Sequence, residues 1–322
     1  MRAGIAVAGS ILVDKLNEIP AYPKEGELTQ IRKTALAVGG CVPNVAIDLK
    51  KISPALEITA LGRIGADEEG KFVSEQLKSH GVETSRIKSD GDKTSFTEVM
   101  SVPGGQRTFF TYAGASAQFR YEDIPFETLN AKMLHLGYFL LLDKVDSGDG
   151  ERILKRAMEC GIKTSIDFVS ENSDRYSLVL PCLKYTDNLI INELEAGKLT
   201  GIEPEAESMK RIAEKLKGLG VKERVIIHCP EYGACLSERG FTIVPSYELP
   251  KGFIQGTTGA GDAFCAGALT AIYEEKSDEE ILQFASACAV AALSAVDATS
   301  GLKSKEEIIK SCQGLKRKEL CL

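Results

Sequence analysis

The 322-residue chain has no tryptophan, only three histidines and no Cys-x-x-Cys pair. Zinc sites read from local spacing need such pairs, so none is expected from the sequence. Nine cysteines (Cys41, Cys160, Cys182, Cys229, Cys235, Cys265, Cys288, Cys312 and Cys321) are scattered through apolar segments. An odd, dispersed set suits reduced, buried small hydrophobes, and Cys265 and Cys288 sit inside helical patterns that read as core. Basic stripes are also missing: 39 Lys and Arg face 46 Asp and Glu, a formal charge of −7. That argues against nucleic acid as the main partner, while an anionic substrate in a locally positive pocket stays open. No apolar run approaches membrane-spanning length, and Met1 to Ile5 reads as the start of a strand rather than of a signal peptide. A cytoplasmic protein is expected. No G-x-G-x-x-G follows the first apolar run, which speaks against a dinucleotide-binding oxidoreductase. Internal repeats, low-complexity tracts and long linkers are absent too, so residues 1–322 are read as one unit.

What is present is organised around Gln255-Gly256-Thr257-Thr258-Gly259-Ala260-Gly261-Asp262-Ala263-Phe264. Glycines and threonines end in one carboxylate, and a helix rich in small residues follows. Unpaired N–H groups at a helix N-terminus, with the helix dipole, favour an anion, and glycines let the main chain curl around it. Asp262 then stands either as a helix cap or as a group placed to take a proton beside an anion. The spacing alone leaves both open.

Elsewhere short apolar runs alternate with helical patterns. Gly4–Gly9, Leu56–Leu61, Met133–Gly137, Lys163–Phe168, Asn188–Asn192 and Val225–His228 read as buried strands. Helices are expected from about Gly39 to Ile52, over Glu151–Cys160 and Leu178–Leu183, through Met209 to Leu219, around the 255–264 motif, and from Ile281 to about Ala295. This pattern predicts an α/β fold with a mostly parallel central sheet covered by helices on both faces. Two regions differ in texture. The non-helical stretch after Asp14 and the β-rich segments flanking Pro103-Gly104-Gly105-Gln106 predict a small inserted β-sheet lid, formed by about 11–36 and 94–115. Gly233–Ser237 and Phe241–Val244 predict a second hairpin, also read as an insertion. Gly65 to Lys71 matches the first seven positions of a P-loop, but Phe72 replaces the Mg²⁺-binding hydroxyl, and Asp67, Glu68 and Glu69 would repel phosphate. It reads instead as a tight turn into a helix with acidic residues at its start.

Several polar groups fall at strand ends or on the turns that follow: Asp14, Asn44, Asp167, Asn192 with Glu195, and Asp262. Open α/β sheets bind ligands there, although Asp14 also suits a turn and Asn44 a local backbone contact. Together these motifs resemble the ribokinase-like (PfkB) family of carbohydrate kinases over nearly the whole chain. Thr257-Thr258-Gly259-Ala260-Gly261-Asp262 with Ala266-Gly267 is similar to its C-terminal signature. Gly39-Gly40 with Asn44, then Gly62-x-x-Gly65-x-Asp67-x-x-Gly70, is similar to its N-terminal signature, and Asn192-Glu193-Leu194-Glu195 has its Asn-x-x-Glu form.

The resemblance implies an ATP-dependent phosphotransferase acting on a hydroxyl of a small sugar, ribose-, fructose- or ketodeoxygluconate-like. Asp262 would be the base, and Gly259, Ala260 and Gly261 the anion hole. Asp14, Gly39, Gly40 and Asn44, with Arg107, would bind substrate. Asn192, Glu195, His228, Gly233 and Thr258 would serve the nucleotide, Glu195 acting on Mg²⁺ through water. The inserted sheet would be the family's lid, which often pairs two subunits into a homodimer. Where the family often has an acidic residue tied to a monovalent cation, this chain has Gly256, so K⁺ activation is left open. His228-Cys229-Pro230 replaces a common Thr-x-Gly, implying altered nucleotide contacts. A nucleoside kinase of the same family is the alternative, with Phe96, Phe110 or Tyr112 available to stack on a base. A catalytically silent sugar- or nucleotide-binding protein is the reading from another class. A phosphorylated sugar is less favoured, since Arg63 and Arg107 are the cationic candidates that stand out.

Overall fold

The structure, a computed structural model, describes residues 2–90, 92–103 and 107–320. Its strands are β1 (Ile5–Gly9), β2 (Leu12–Glu18), β3 (Lys33–Gly39), β4 (Ile58–Leu61), β5 (Arg63–Gly65), β6 (Lys88–Asp90), β7 (Ser95–Ser101), β8 (Arg107–Tyr112), β9 (Met133–Phe139), β10 (Lys163–Phe168), β11 (Asn188–Asn192), β12 (Arg224–His228), β13 (Tyr232–Ser237) and β14 (Gly240–Pro245). Its helices are α1 (Cys41–Ile52), α2 (Glu68–Ser79), α3 (Gly150–Glu159), α4 (Leu180–Leu183), α5 (Glu193–Thr200), α6 (Met209–Gly218), α7 (Ala260–Tyr273), α8 (Asp278–Leu293) and α9 (Lys305–Cys312).

Among the described residues, eight strands form one sheet in the order β14-β13-β12-β11-β10-β9-β1-β4. Pairing is parallel from β4 to β12 and antiparallel at the β12–β13–β14 edge. Side-chain alternation explains why these strands are apolar throughout. Ile5 and Val7 enter a core with α1, α7 and α8, while Ala6 and Ala8 enter a second core with α3, α5 and α6. A parallel sheet covered on both faces requires that pattern. The 233–237 and 241–244 hairpin extends this main sheet, and so is not an insertion apart from it.

Four further strands form a second sheet, ordered β3-β2-β7-β8. Strand β2 is antiparallel to β3 and parallel to β7, and β7 is antiparallel to β8. Asp14 therefore lies inside a strand of the smaller sheet, not in a turn after β1. The turn residues Gly104 to Gln106 lie outside the described residues, as does Cys321. Features not expected from the sequence include a separate two-stranded parallel sheet of β5 and β6, the run of β9 past Gly137 to Phe139, and α9 after the two alanine-rich helices. The Gly65–Lys71 decoy resolves as a capped helix start, where Asp67 accepts hydrogen bonds from the Gly70 N–H and from the Thr94 N–H, each 2.9 Å long.

Candidate active site

The carboxyl ends of the parallel strands meet the start of α7 in a cleft of about 170 Å³. Tyr138, Asp167, Ser170, Asn192, Glu195, His228, Gly259, Gly261 and Asp262 are among the residues lining it. Gly259 precedes α7 with φ 79°, a left-handed conformation, and a Cβ there would come within 2.5 Å of Ala298. Only glycine makes that turn without strain. Gly259 and Gly261 line the cleft beside Asp262, at a helix start whose first N–H groups lack intrahelical partners.

Asp262 is 6% exposed. Asn44 Nδ2 and Tyr138 Oη each donate to its Oδ2 at 2.9 Å. Both bonds fall on one oxygen, so Oδ1 is the one left for a ligand. Burial, followed by the nearby charge of Asp167, pushes Asp262 up to about 7, against the lowering effect of the Asn44 and Tyr138 bonds. A carboxylate poised there holds or releases a proton near neutral pH. Asn44 carries a second mark of a ligand site: its Oδ1 is buried with no hydrogen-bond partner among the described residues. Such an acceptor is costly unless something donates to it.

On the small-sheet side, the Asp14 carboxyl lies against Gly39, where an added Cβ would meet Asp14 Cγ at 2.6 Å. Desolvation pushes Asp14 up to about 7, and the Arg107 charge pulls it back. Gly40 leads into α1 and so fixes where Asn44, in its first turn, points. Arg107, at the start of β8, reaches across to the loop before α7. Its Nη1 donates to Thr258 Oγ1 and its Nη2 to the Val296 carbonyl at 3.2 Å. Thr258 is thereby engaged by the small sheet.

On the opposite side, Asn192 caps α5 in a reciprocal box. Its Oδ1 accepts from the Glu195 N–H at 2.9 Å, and Glu195 Oε2 accepts from the Asn192 N–H at 3.1 Å. Ser170 Oγ donates to Glu195 Oε1 at 2.8 Å. The Asn-x-x-Glu spacing is what such a box needs, so local structure and cleft chemistry share the same residues. Burial raises Glu195 to about 8. His228 ends β12 with its ring 4.6 Å from that of Phe264, and burial lowers it to about 4, leaving it neutral at pH 7. Gly233 pairs with His228 in the sheet but faces Phe264 and Leu282, apart from the cleft-lining residues. Arg63 is bound in a fork to Asp123, at 2.7 and 2.9 Å.

Tyr138 escaped the sequence reading. It has φ 61°, an uncommon left-handed conformation for a tyrosine, and its N–H donates to Asp167 Oδ1 at 2.6 Å. A Gly-Tyr-Phe run at a strand end carries no signal for such a twist. Phe96 and Tyr112 stack on each other at 5.3 Å, and Lys15 lies 4.2 Å over the Phe96 ring.

A buried carboxylate beside a helix N-terminus, with a capping box lining the same cleft, suits phosphoryl transfer. The family model described as pfkB family carbohydrate kinase matches residues 3–305, and the chain belongs to that family. It is an ATP-dependent carbohydrate kinase, transferring phosphate to an alcohol group. It is similar to a ribokinase of Arabidopsis thaliana, 27% identical over 95% of this chain and 80% of that protein. It is also similar to fructokinase-1 of Oryza sativa, 26% identical over 94% of this chain and 95% of that protein. Among solved structures, the Arabidopsis thaliana ribokinase complexed with ribose and ATP superposes with a TM-score of 0.80 at 25% identity, covering 96% of this chain and 98% of that one. A 2-dehydro-3-deoxygluconokinase of Thermotoga maritima shares the fold at TM-score 0.82 and 20% identity, over 97% and 100% of the two chains. The fold is ribokinase-like. No described helix is long and apolar enough to cross a membrane.

Proposed function

We propose that the chain transfers the γ-phosphoryl group of ATP to a hydroxyl of a small, unphosphorylated sugar of the ribose or fructose kind. The observation that carries this is the buried Asp262 carboxylate at the start of α7, whose Oδ2 takes both the Asn44 and the Tyr138 bond while Oδ1 takes neither. That second oxygen suits a proton-accepting base.

In this reading the sugar hydroxyl gives its proton to Asp262 as its oxygen bonds to the γ-phosphorus, and the bond to the β-phosphate oxygen breaks to release ADP. The N–H groups of Gly259, Ala260 and Gly261 face the charge on the moving phosphoryl oxygens. Asp14, Gly39, Gly40 and Asn44 hold the sugar. Arg107 holds the small sheet, acting as the lid, against Thr258. With Arg63 and Arg107 both engaged by protein groups, neither is offered for a sugar phosphate. Phe109 and Phe110, each more than half exposed on edge strand β8, suit pairing of two chains through the small sheet. That a relative is complexed with ribose and ATP supports a sugar and ATP as the ligand pair.

The Asn192 and Glu195 cluster fits a hard cation held through water. Both Glu195 oxygens already accept hydrogen bonds, so direct ligation would break the cap, while their remaining lone pairs can accept from a hydrated ion. Mg²⁺, when bound with the nucleotide, supplies charge neutralisation at the phosphates. The buried Glu195 carboxyl, raised to about 8, is a group whose ionisation such a cation would favour.

The test is ADP release measured with ribose, fructose, 2-keto-3-deoxygluconate and nucleosides, with and without Mg²⁺. Sugar-dependent turnover is expected. Turnover restricted to nucleosides would replace the sugar reading with the nucleoside one. Binding without turnover across the panel would leave a silent binding protein.

A further inference from the structure

Next to Asp262 the fold gathers three side chains of metal-ligating type to which the phosphoryl transfer assigns no step. Cys41 opens α1, His135 lies in β9 and Asp167 near the end of β10. One donor atom each from Cys41, His135 and Asp167 lies within 4.8 Å of the other two, and all three residues are buried. Cys41 Sγ is 4.0 Å and His135 Nε2 3.3 Å from Asp167 Oδ2. These are long for direct hydrogen bonds. They come close to the spacing of roughly 3.3–3.8 Å between ligands spread around one ion at bond lengths of about 2.0–2.3 Å.

The far side of each polar ligand is tied off. His135 Nδ1 pairs with Ser165 Oγ at 3.0 Å, which leaves Nε2 turned to the cluster. Asp167 Oδ1 accepts from the Tyr138 N–H, which leaves Oδ2 turned to it. Metal-binding histidines and carboxylates are oriented by such outer contacts. Gly137 makes the room: a Cβ there would sit 1.9 Å from Cys41 Sγ and 2.8 Å from Asp167 Oδ1.

We propose that Cys41, His135 and Asp167 form a three-ligand binding site for a zinc-class divalent ion. One sulfur, one imidazole nitrogen and one carboxylate oxygen select a borderline-soft ion over Mg²⁺. The position gives the ion a structural task. Cys41 precedes Asn44 by one helical turn. An ion held by these three residues would tie the start of α1 to β9 and β10, and so fix where Asn44 meets Asp262.

The experiment strips the reduced protein with a chelator and adds Zn²⁺ or Co²⁺ alone. One ion per chain is expected by elemental analysis, and the Co²⁺ form is expected to show thiolate-to-metal charge-transfer absorption. Cys41→Ser should abolish that absorption, and Ser165→Ala should weaken affinity about 10- to 100-fold through loss of the outer contact. Cys160→Ser, at the far end of α3, should leave both unchanged. Absence of the thiolate band in the wild-type chain, which needs no variant to fold, overturns the proposal. So does a band that survives in Cys41→Ser, or binding of Co²⁺ without thiolate character.

Discussion

Asn44 and Asp262 lie 218 positions apart in sequence, and a 2.9 Å hydrogen bond from Nδ2 to Oδ2 joins them. One residue assigned to the sugar thus also orients the carboxylate assigned as base, through its other oxygen. If Asp262 is that base, Asp262→Asn keeps the shape and both donors' surroundings but removes the proton acceptor. A loss of about 10²–10⁴-fold in kcat is expected, with sugar and nucleotide still bound. Calorimetry beside steady-state kinetics checks this, and an Asn variant turning over like the wild type would remove Asp262 from the mechanism.

Tyr138→Phe tests the second donor. The Tyr138 bond lowers the Asp262 pKa, so its loss raises it. A base works only when deprotonated, so the acidic limb of the kcat/KM profile, near 7 in the wild type, should move up by about one unit. A limb that stays in place or moves down contradicts the assignment.

Glu195 also bears on stability. Its carboxyl rises from 4.5 to about 8 on folding. Between those values the folded state holds a proton that the unfolded chain has released, so this contribution is full below 4.5 and lost as pH rises through about 8. Glutamine preserves the capping box and does not titrate. The wild-type Tm should therefore fall relative to Glu195→Gln across that window. A gap that widens in the wild type's favour as pH rises would refute the shift.

Arg107→Ala removes two partly exposed hydrogen bonds from β8, one to the loop before α7 and one to the segment after α8. Loss of about 1 kcal/mol corresponds to a fall of roughly 5- to 10-fold in kcat/KM, with little change in Tm. Arg107→Lys should not restore it, because an ammonium lacks the fork that reaches two acceptors at once. Rescue by lysine would reduce the contact to simple charge.

The sheet was legible because buried parallel strands are nearly continuous apolar runs, as Asn188–Asn192 illustrates with bounds that match in sequence and structure. The Asn192–Glu195 box and the Gly259 turn were legible because their chemistry is local. What was hidden is non-local or conformational. Tyr138 depends on a left-handed residue after Gly137, and Cys41, His135 and Asp167 meet only because three separate elements converge. Asp14 reads from sequence as lying just past the end of the first strand because nothing in Ser10-Ile11 marks the change from the large sheet to the small one. Helix α9 was missed because it is short and only Ile308 and Cys312 of its eight residues are buried.

The Arg107 bridge makes the position of the small sheet and that of the loop before α7 a single mechanical variable. If sugar draws the sheet inward and nucleotide orders the loop, the two binding events share that variable. Linkage then fixes the outcome: the factor by which sugar tightens ATP must equal the factor by which ATP tightens sugar. One guanidinium would set the size of both.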